Sequence, residues 1–581
     1  MMVHGRLASR GRPANRCRRG MVLLATLSMV VVVAALIAAL LATAHAELRQ
    51  AHTTRSTSDV RNLAEAATVA AEQSVIVAVA NSLPPPAQGS LQLGPHAVPW
   101  TTTLIGVDTT QTDAVGIQTI HQHYRVDATA TLGNFAHTVH RVLDVGLTPI
   151  FQYAIFYERD LELLPGPSMT LSGRVHTNQD MYVGVGSKQT LTVNSNYFRS
   201  VGNMHRTRKD DGSLTLGNVK IQQTGSSSLY DLWSWNQLNN QGVPSTSGYD
   251  SDFLGFDKNN DGDLNDVGDW ADFAVGALTT WNGTVQTAAH GVKRVEPPTI
   301  GSIQRYEVIG AGLGDHEWDP VANDFVFVGA GQGDARKGHF HANAELVIRD
   351  LNAYDAKGFA VAMPAGALVQ TTMYDAREGR SVTVTEIDVG VLRSNGLVPK
   401  NGLIYASRSD ASSSQPNGVR LKNGSELGQP LTICSEDPLY VLGDYNTTNK
   451  QPASIVSDAV NLLSNGWDDS KTAGTLPVAK ATTFNAAMIT GNDETVGSQY
   501  SGGFENLPRF HEDWTGVTCT ILGSFVKIYG SVFATGKWVY GGDHYTAPVR
   551  KWDYDTTFNN ASSLPPFTPN VAQVHSAGWW E

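Results

Sequence analysis

From Met21 to Ala44 the chain carries apolar residues at every position except Thr26, Ser28 and Thr43, and no proline or glycine interrupts it. As a helix these 24 residues reach about 36 Å at about 1.5 Å per residue, enough to cross a bilayer core of about 30 Å. Arg6, Arg10, Arg12, Arg16, Arg18 and Arg19 precede the run with no acid among them, so this end should stay cytoplasmic. From Glu47 to Ser82 the pattern turns amphipathic: Val60, Leu63, Ala67 and Ala70 recur at three-to-four spacing, with Asp59, Arg61, Glu65 and Glu72 between them. One helix could therefore run on from the membrane. The weak place is His52 to Ser58, where Thr and Ser compete for backbone bonds and Ser56 or Ser58 could cap a second helix. Leu83-Pro84-Pro85-Pro86 ends the pattern, because proline lacks the donor and blocks the preceding turn.

Beyond the prolines the period changes to that of strands. Tyr124 to Ala130 alternates, and Pro149 to Tyr157 is an aromatic run suited to a buried strand. Four stretches share the form apolar-x-Gly-x, around Gly173, Gly443, Gly491 and Gly530. Stacked rungs of a β-solenoid read this way, with glycine at the turns and apolar neighbours filling the coil. Their spacing is irregular, and a β-sandwich or mixed β domain with glycine at bulges is the alternative. The expected fold is mainly β: a transmembrane and amphipathic helix followed by a large β-rich, solenoid-like body. The expected boundaries are a basic leader over 1–20, a transmembrane helix over 21–46 and its extension over 47–83. A β-rich connection over 84–150, a solenoid-like segment over 151–224, an insertion over 225–300 and a solenoid-like body over 301–581 follow.

Composition narrows the partners. With 581 residues, 17% charged, 56 Gly and 25 Pro, the chain reads as multi-module, loop-rich and β-rich. The net charge of −12 becomes −18 once the six leader arginines are removed, which argues against nucleic acid as a partner. Of three cysteines, Cys17 lies in the leader. Cys434 and Cys519 remain, and an even count in an oxidising compartment leaves two readings, a disulfide or two buried free thiols.

Asp257-Lys258-Asn259-Asn260-Asp261-Gly262-Asp263-Leu264-Asn265-Asp266 is the best local site in the sequence. Oxygen ligands at Asp257, Asn259 and Asp261, a turn glycine at 262, the carbonyl of Asp263 and the carboxylate of Asp266 form a calcium loop; an acidic turn is the alternative. The twelfth position is Gly268 where an EF-hand has Glu, so Asp266 or Asp269 must close the shell. Trp233, Trp235, Trp270 and Trp281 cluster around this loop and read as core rather than as a sugar platform. His339 and His341 would share one face of a strand but lack a third ligand. Val328 to Gly333 fails the dinucleotide spacing at Asp334.

Two processing schemes fit the N-terminus. Ala44-His45-Ala46 has the form of a signal-peptidase site, although the apolar run far exceeds a signal peptide's. Alternatively Gly20 abuts the run and the helix is kept after cleavage between Gly20 and Met21. On the second scheme, Arg18-Arg19-Gly20-Met21-Val22-Leu23-Leu24-Ala25-Thr26-Leu27 resembles the start of PilX-type pilus assembly proteins and GspK-type pseudopilins. Phe151 to Tyr157, Pro165 to His176, Tyr374 to Gly379 and Gly502 to Phe510 resemble the large members with a long extracellular β region. The resemblance implies a minor type IV pilus or type II secretion subunit in the inner membrane. Prepilin peptidase would process it, other pilin or pseudopilin subunits would pack on its helix, and it would be placed at a tip with an adhesive role toward a surface glycan. Ala25 stands where most major pilins have Glu, which suits a rare subunit. A membrane-anchored, calcium-dependent polysaccharide lyase or hydrolase on a β-helix is the alternative, with Asp375, Glu378 and Arg377 as its carboxylate and cation.

Overall fold

A computed structural model describes residues 16–80, 84–213, 215–233, 273–305, 316–319, 324–327 and 338–580. A single helix runs from Arg16 to Ala80, straight through the weak place at His52 to Ser58. There Thr53 and Thr57 turn their hydroxyls back onto the carbonyls of Arg49 and Thr53, at 2.8 Å each, and so stay inside the helix. Its second half buries Val60, Ala64, Ala67, Ala71 and Val75. The alanines let the backbone lie close against a sheet, and each buried valine contributes about 1.5–3 kcal/mol.

That sheet is antiparallel, in the order Gln88–Leu93, His96–Thr112, Gln118–Leu132, Phe135–Pro149 and Asn570–Trp580. The alternation seen in the sequence sorts its faces: Tyr124, Val126, Ala128 and Ala130 meet the helix, while Arg125 and Thr129 face out. Arg141 of the fourth strand pairs with Glu72 of the helix at 2.7 Å. The last strand of the chain thus returns to lie beside the fourth.

Between them the chain coils. Ile155–Tyr157, Leu161–Leu163 and Met169–Ser172 form one turn of three short strands; Val175–Thr177, Met181–Val183 and Thr190–Asn194 form the next, each parallel to its counterpart. The same plan recurs over Leu403–Ser407 to Val549–Tyr554. The stacking order is not the chain order. Phe525–Lys527, late in the chain, pairs in parallel with Ile155–Tyr157, so the C-terminal turns continue directly into the N-terminal ones. One unbroken internal column results: Leu346, Ile404, Ile433, Ile455, Met488, Phe525, Ile155, Val175, Phe198 and Val285 lie side by side. All of them belong to one buried apolar cluster. On this ladder the outward positions are buried too. Tyr405, Cys434, Val456, Ile489, Val526 and Phe156 form a second cluster beneath Phe151, Ile303, Phe340 and Phe558.

Glycine is required where these turns touch. Gly173 has φ +84°, and a Cβ there would come within 2.7 Å of Ala154 and 2.8 Å of the Tyr554 ring. At Gly491 it would meet the Asp458 carbonyl at 2.5 Å. Two expectations change. Pro149 to Tyr157 is not one strand: Ile150–Gln152 is a 3-10 turn, which lets the chain leave the antiparallel sheet before Ile155–Tyr157 begins the coil. His339–Asn343 is a short helix, not a strand, so His339 and His341 do not share a strand face.

Candidate functional site

The long helix is the first candidate. From Gly20 through Leu41 every residue is exposed, Met21 at 70%, although the side chains are almost all apolar. It is the one helix among the described residues long and apolar enough to cross a membrane. A helix this greasy and uncovered calls for lipid or other apolar helices around it. The Gly20–Met21 bond lies near its start, and a Cβ at Gly20 would meet nothing within 4 Å.

The second candidate is where two of the resembling stretches meet. Tyr374 to Gly379 closes the hairpin of Leu368–Asp375 and Arg380–Asp388, and Arg509 and His511 come from the coil beneath it. Arg509 Nη1 lies 2.6 Å from Glu378 Oε1, and Tyr440 Oη donates to Asp375 Oδ2 at 2.8 Å. His511 Nε2 donates to Asn461 Oδ1 at 2.9 Å, and its Nδ1 lies 3.7 Å from Asp375 Oδ1. Glu378 also accepts from Gly536 N at 3.0 Å, and Arg377 Nε donates to the Gly536 carbonyl at 2.9 Å. Burial opposes ionisation of Asp375, yet His511, the Glu378 amide and Arg509 together hold its carboxyl below the usual range. Burial, then the like charge of Arg509, pulls Arg377 down to about 9. Burial also pushes His511 down to about 4.

The sequence therefore brought Asp375, Arg377 and Glu378 to notice, and folding adds Arg509, His511, Tyr440 and Asn461. The adjoining cavity, by Arg377, Arg509 and Tyr545, holds only 10 Å³, about one water. A network this enclosed locks the hairpin to the coil. Asp458 is a second internal clamp: its carboxylate accepts from the amides of Phe533 and Ala534 at 3.1 and 2.8 Å. Burial pushes it up to about 6. Neither clamp was visible in the sequence, because their partners lie far apart in the chain.

The remaining sequence candidates separate. The loop with Asp257, Asn259, Asp261, Asp263 and Asp266 lies outside the described residues, as do Trp235, Trp270 and Val328 to Gly333. Trp281 is fully buried in the inner cluster. His339 packs edge-on to Phe340 and Phe567, and burial lowers it to about 4; His341 packs edge-on to Tyr405. Among the described residues no group of three or more His, Cys, Asp or Glu could hold a metal. Cys434 and Cys519 are buried free thiols, and the disulfide is not formed. The strand pattern explains why: Cys434 takes an outward position on its strand, and Cys519 points into the coil.

No family model and no curated protein matches the chain. Among solved structures, the competence-associated pilin ComZ from Thermus thermophilus aligns with 90% of this chain and 97% of its own, at 10% identity and a TM-score of 0.25.

Proposed function

We propose that this chain is a minor pilin-like or pseudopilin-like subunit, anchored in the inner membrane by Met21 to Ala44 and assembled into a type IV pilus or secretion filament. One observation supports this above the others. The same unbroken helix is exposed and almost all apolar from Gly20 to Leu41 and is the packed spine of an antiparallel sheet in its second half. Such a helix can hold the body to a bilayer and later exchange lipid for the helices of neighbouring subunits, because both environments satisfy an apolar surface. The coil of stacked parallel strands, read as a β-solenoid, is then the part displayed outside, at or near the filament tip. The role is one of assembly and adhesion rather than catalysis.

Prepilin peptidase would cut between Gly20 and Met21. Mass spectrometry of the mature N-terminus tests the reading: a start at Met21 supports it. A start at Glu47 removes the helix and refutes filament assembly, and an intact Met1 leaves an ordinary anchor.

A further inference from the structure

The coil has a place where two sheets abut without pairing. Thr482–Phe484, Thr518–Gly523 and Val549–Tyr554 form one parallel sheet, and Met169–Ser172 begins another, with no backbone ladder between Val549–Tyr554 and Met169–Ser172. A cleft of 720 Å³ opens along this seam. It continues into a second of 630 Å³, the two sharing Ser172 and Asn194. The strand period turns hydroxyls into it: Thr170 stands in register with Thr192, and Thr520 with Lys551, while Met169, Leu191 and Ile521 point into the core.

Its charges are one-sided. Lys551 is exposed and, among the described residues, makes no ion pair. Arg550 donates to the Glu505 carbonyl at 3.0 Å and lies over the Trp552 ring at 5.4 Å; the carboxylate that feels its charge, Glu505, lies outside the cleft lining. Arg174 is only 6% exposed and lines the second cleft. Its guanidinium donates to the carbonyls of Val115 and Gln152 and to Asn559 Oδ1, at 2.9, 3.0 and 2.7 Å, all neutral acceptors. A buried guanidinium with no counter-charge is costly, and an anion in the trough would offset that cost. The single carboxylate at the seam, Asp553, already accepts from Ser172 Oγ and Tyr554 N. In a protein whose net charge is −12, a trough lined by three cations and one carboxylate is a local inversion of sign.

We propose that this trough binds an extended acidic polysaccharide, with sugar carboxylates on Lys551, Arg550 and Arg174 and sugar hydroxyls on the threonine rows. The ligand is a carboxylated glycan rather than single-stranded nucleic acid because the trough offers no stacking surface: Trp552 and Tyr554 are buried. The site stands apart from the helix and does not depend on where the leader is cut.

The test uses the detergent-solubilised full chain and measures binding of polygalacturonate, its fully methyl-esterified form and single-stranded DNA by biolayer interferometry. Lys551→Gln and Thr170→Glu alter exposed side chains that hold nothing together, so the fold survives; Lys357→Gln makes the same charge change on a distant exposed turn. Polygalacturonate should bind, and Lys551→Gln should weaken it at least about tenfold, the loss of one charge-assisted contact. Thr170→Glu should weaken it further, Lys357→Gln should leave it unchanged, and the esterified polymer should bind poorly. Absence of polygalacturonate binding, equal binding of the ester, equal loss in Lys551→Gln and Lys357→Gln, or tighter binding of DNA would each overturn the proposal.

Discussion

Phe525 is the position at which the two halves of the coil depend on each other most directly. Its ring is buried in the internal column between Met488 and Ile155, edge-on to Phe504 at 5.1 Å and stacked on Trp552 at 5.2 Å. Phe525→Ala removes a buried ring from a site whose strands are fixed on both sides and cannot close in, so the cost should be about 3–5 kcal/mol. In a stacked coil each turn touches only its neighbours, and the damage should fade turn by turn instead of unfolding the whole body. Amide hydrogen exchange read by mass spectrometry resolves this. Ala487–Thr490 on one side and Ile155–Tyr157 on the other should both exchange faster, by a factor on the order of 10² to 10³, since every 1.4 kcal/mol is tenfold. Leu403–Ser407, several turns away, should keep its protection. If Ala487–Thr490 loosened while Ile155–Tyr157 stayed protected, the parallel pairing of Phe525–Lys527 with Ile155–Tyr157 would be wrong and the two segments would be separate units.

Thiol titration of the denatured, unreduced protein cleaved after Gly20 should find two free cysteines. In the folded protein both should resist alkylation, because burial pushes the Cys519 thiol up to about 12 and the Cys434 thiol well above its ordinary value; no free thiol on denaturation would refute this. His511 is held neutral in the fold at about 4 against an ordinary 6.5, so its contribution is complete above pH 6.5 and drains away as pH falls to about 4. The loss reaches about 3 kcal/mol at about 1.4 kcal/mol per pH unit. Glu512, which burial raises to about 7, acts in the opposite direction over pH 7 to 4.5, so the comparison must be between wild type and His511→Asn. The variant should lose less stability over pH 6.5 to 4, and parallel curves would sink the idea. Calcium should bind the Asp257 loop and raise the midpoint of thermal unfolding, with Asp257→Ala plus Asp261→Ala abolishing the rise. A flat calorimetric titration at millimolar calcium would leave only an acidic turn.

The long helix and the alternation of the antiparallel sheet were legible in the sequence, because a period of 3.6 or 2 is written in neighbouring residues. The threonines at 53 and 57 marked a weak place in that helix, since sequence shows that hydroxyls compete for the backbone but not that they can do so from inside a helix. Glycines 173 and 491 were read correctly as marking close turns. What no local pattern could reveal was order: that Phe525 would neighbour Ile155, or that Arg509 would reach Glu378. For the same reason Cys434 and Cys519 looked like partners by count alone, while the parity of their strand positions sends them to opposite sides of a sheet wall. The trough was invisible too, being made where chain-distant strands abut.

The inverted stacking order has a consequence for biogenesis. Synthesis from the N-terminus produces Ile155–Tyr157 about 370 residues before the Phe525–Lys527 strand that pairs with it. At about 5–20 residues per second, that is roughly 20 to 70 s during which a strand edge stands open with its apolar column unfinished. Asn570–Trp580, which docks beside Phe135–Pro149 on the antiparallel sheet, follows later still.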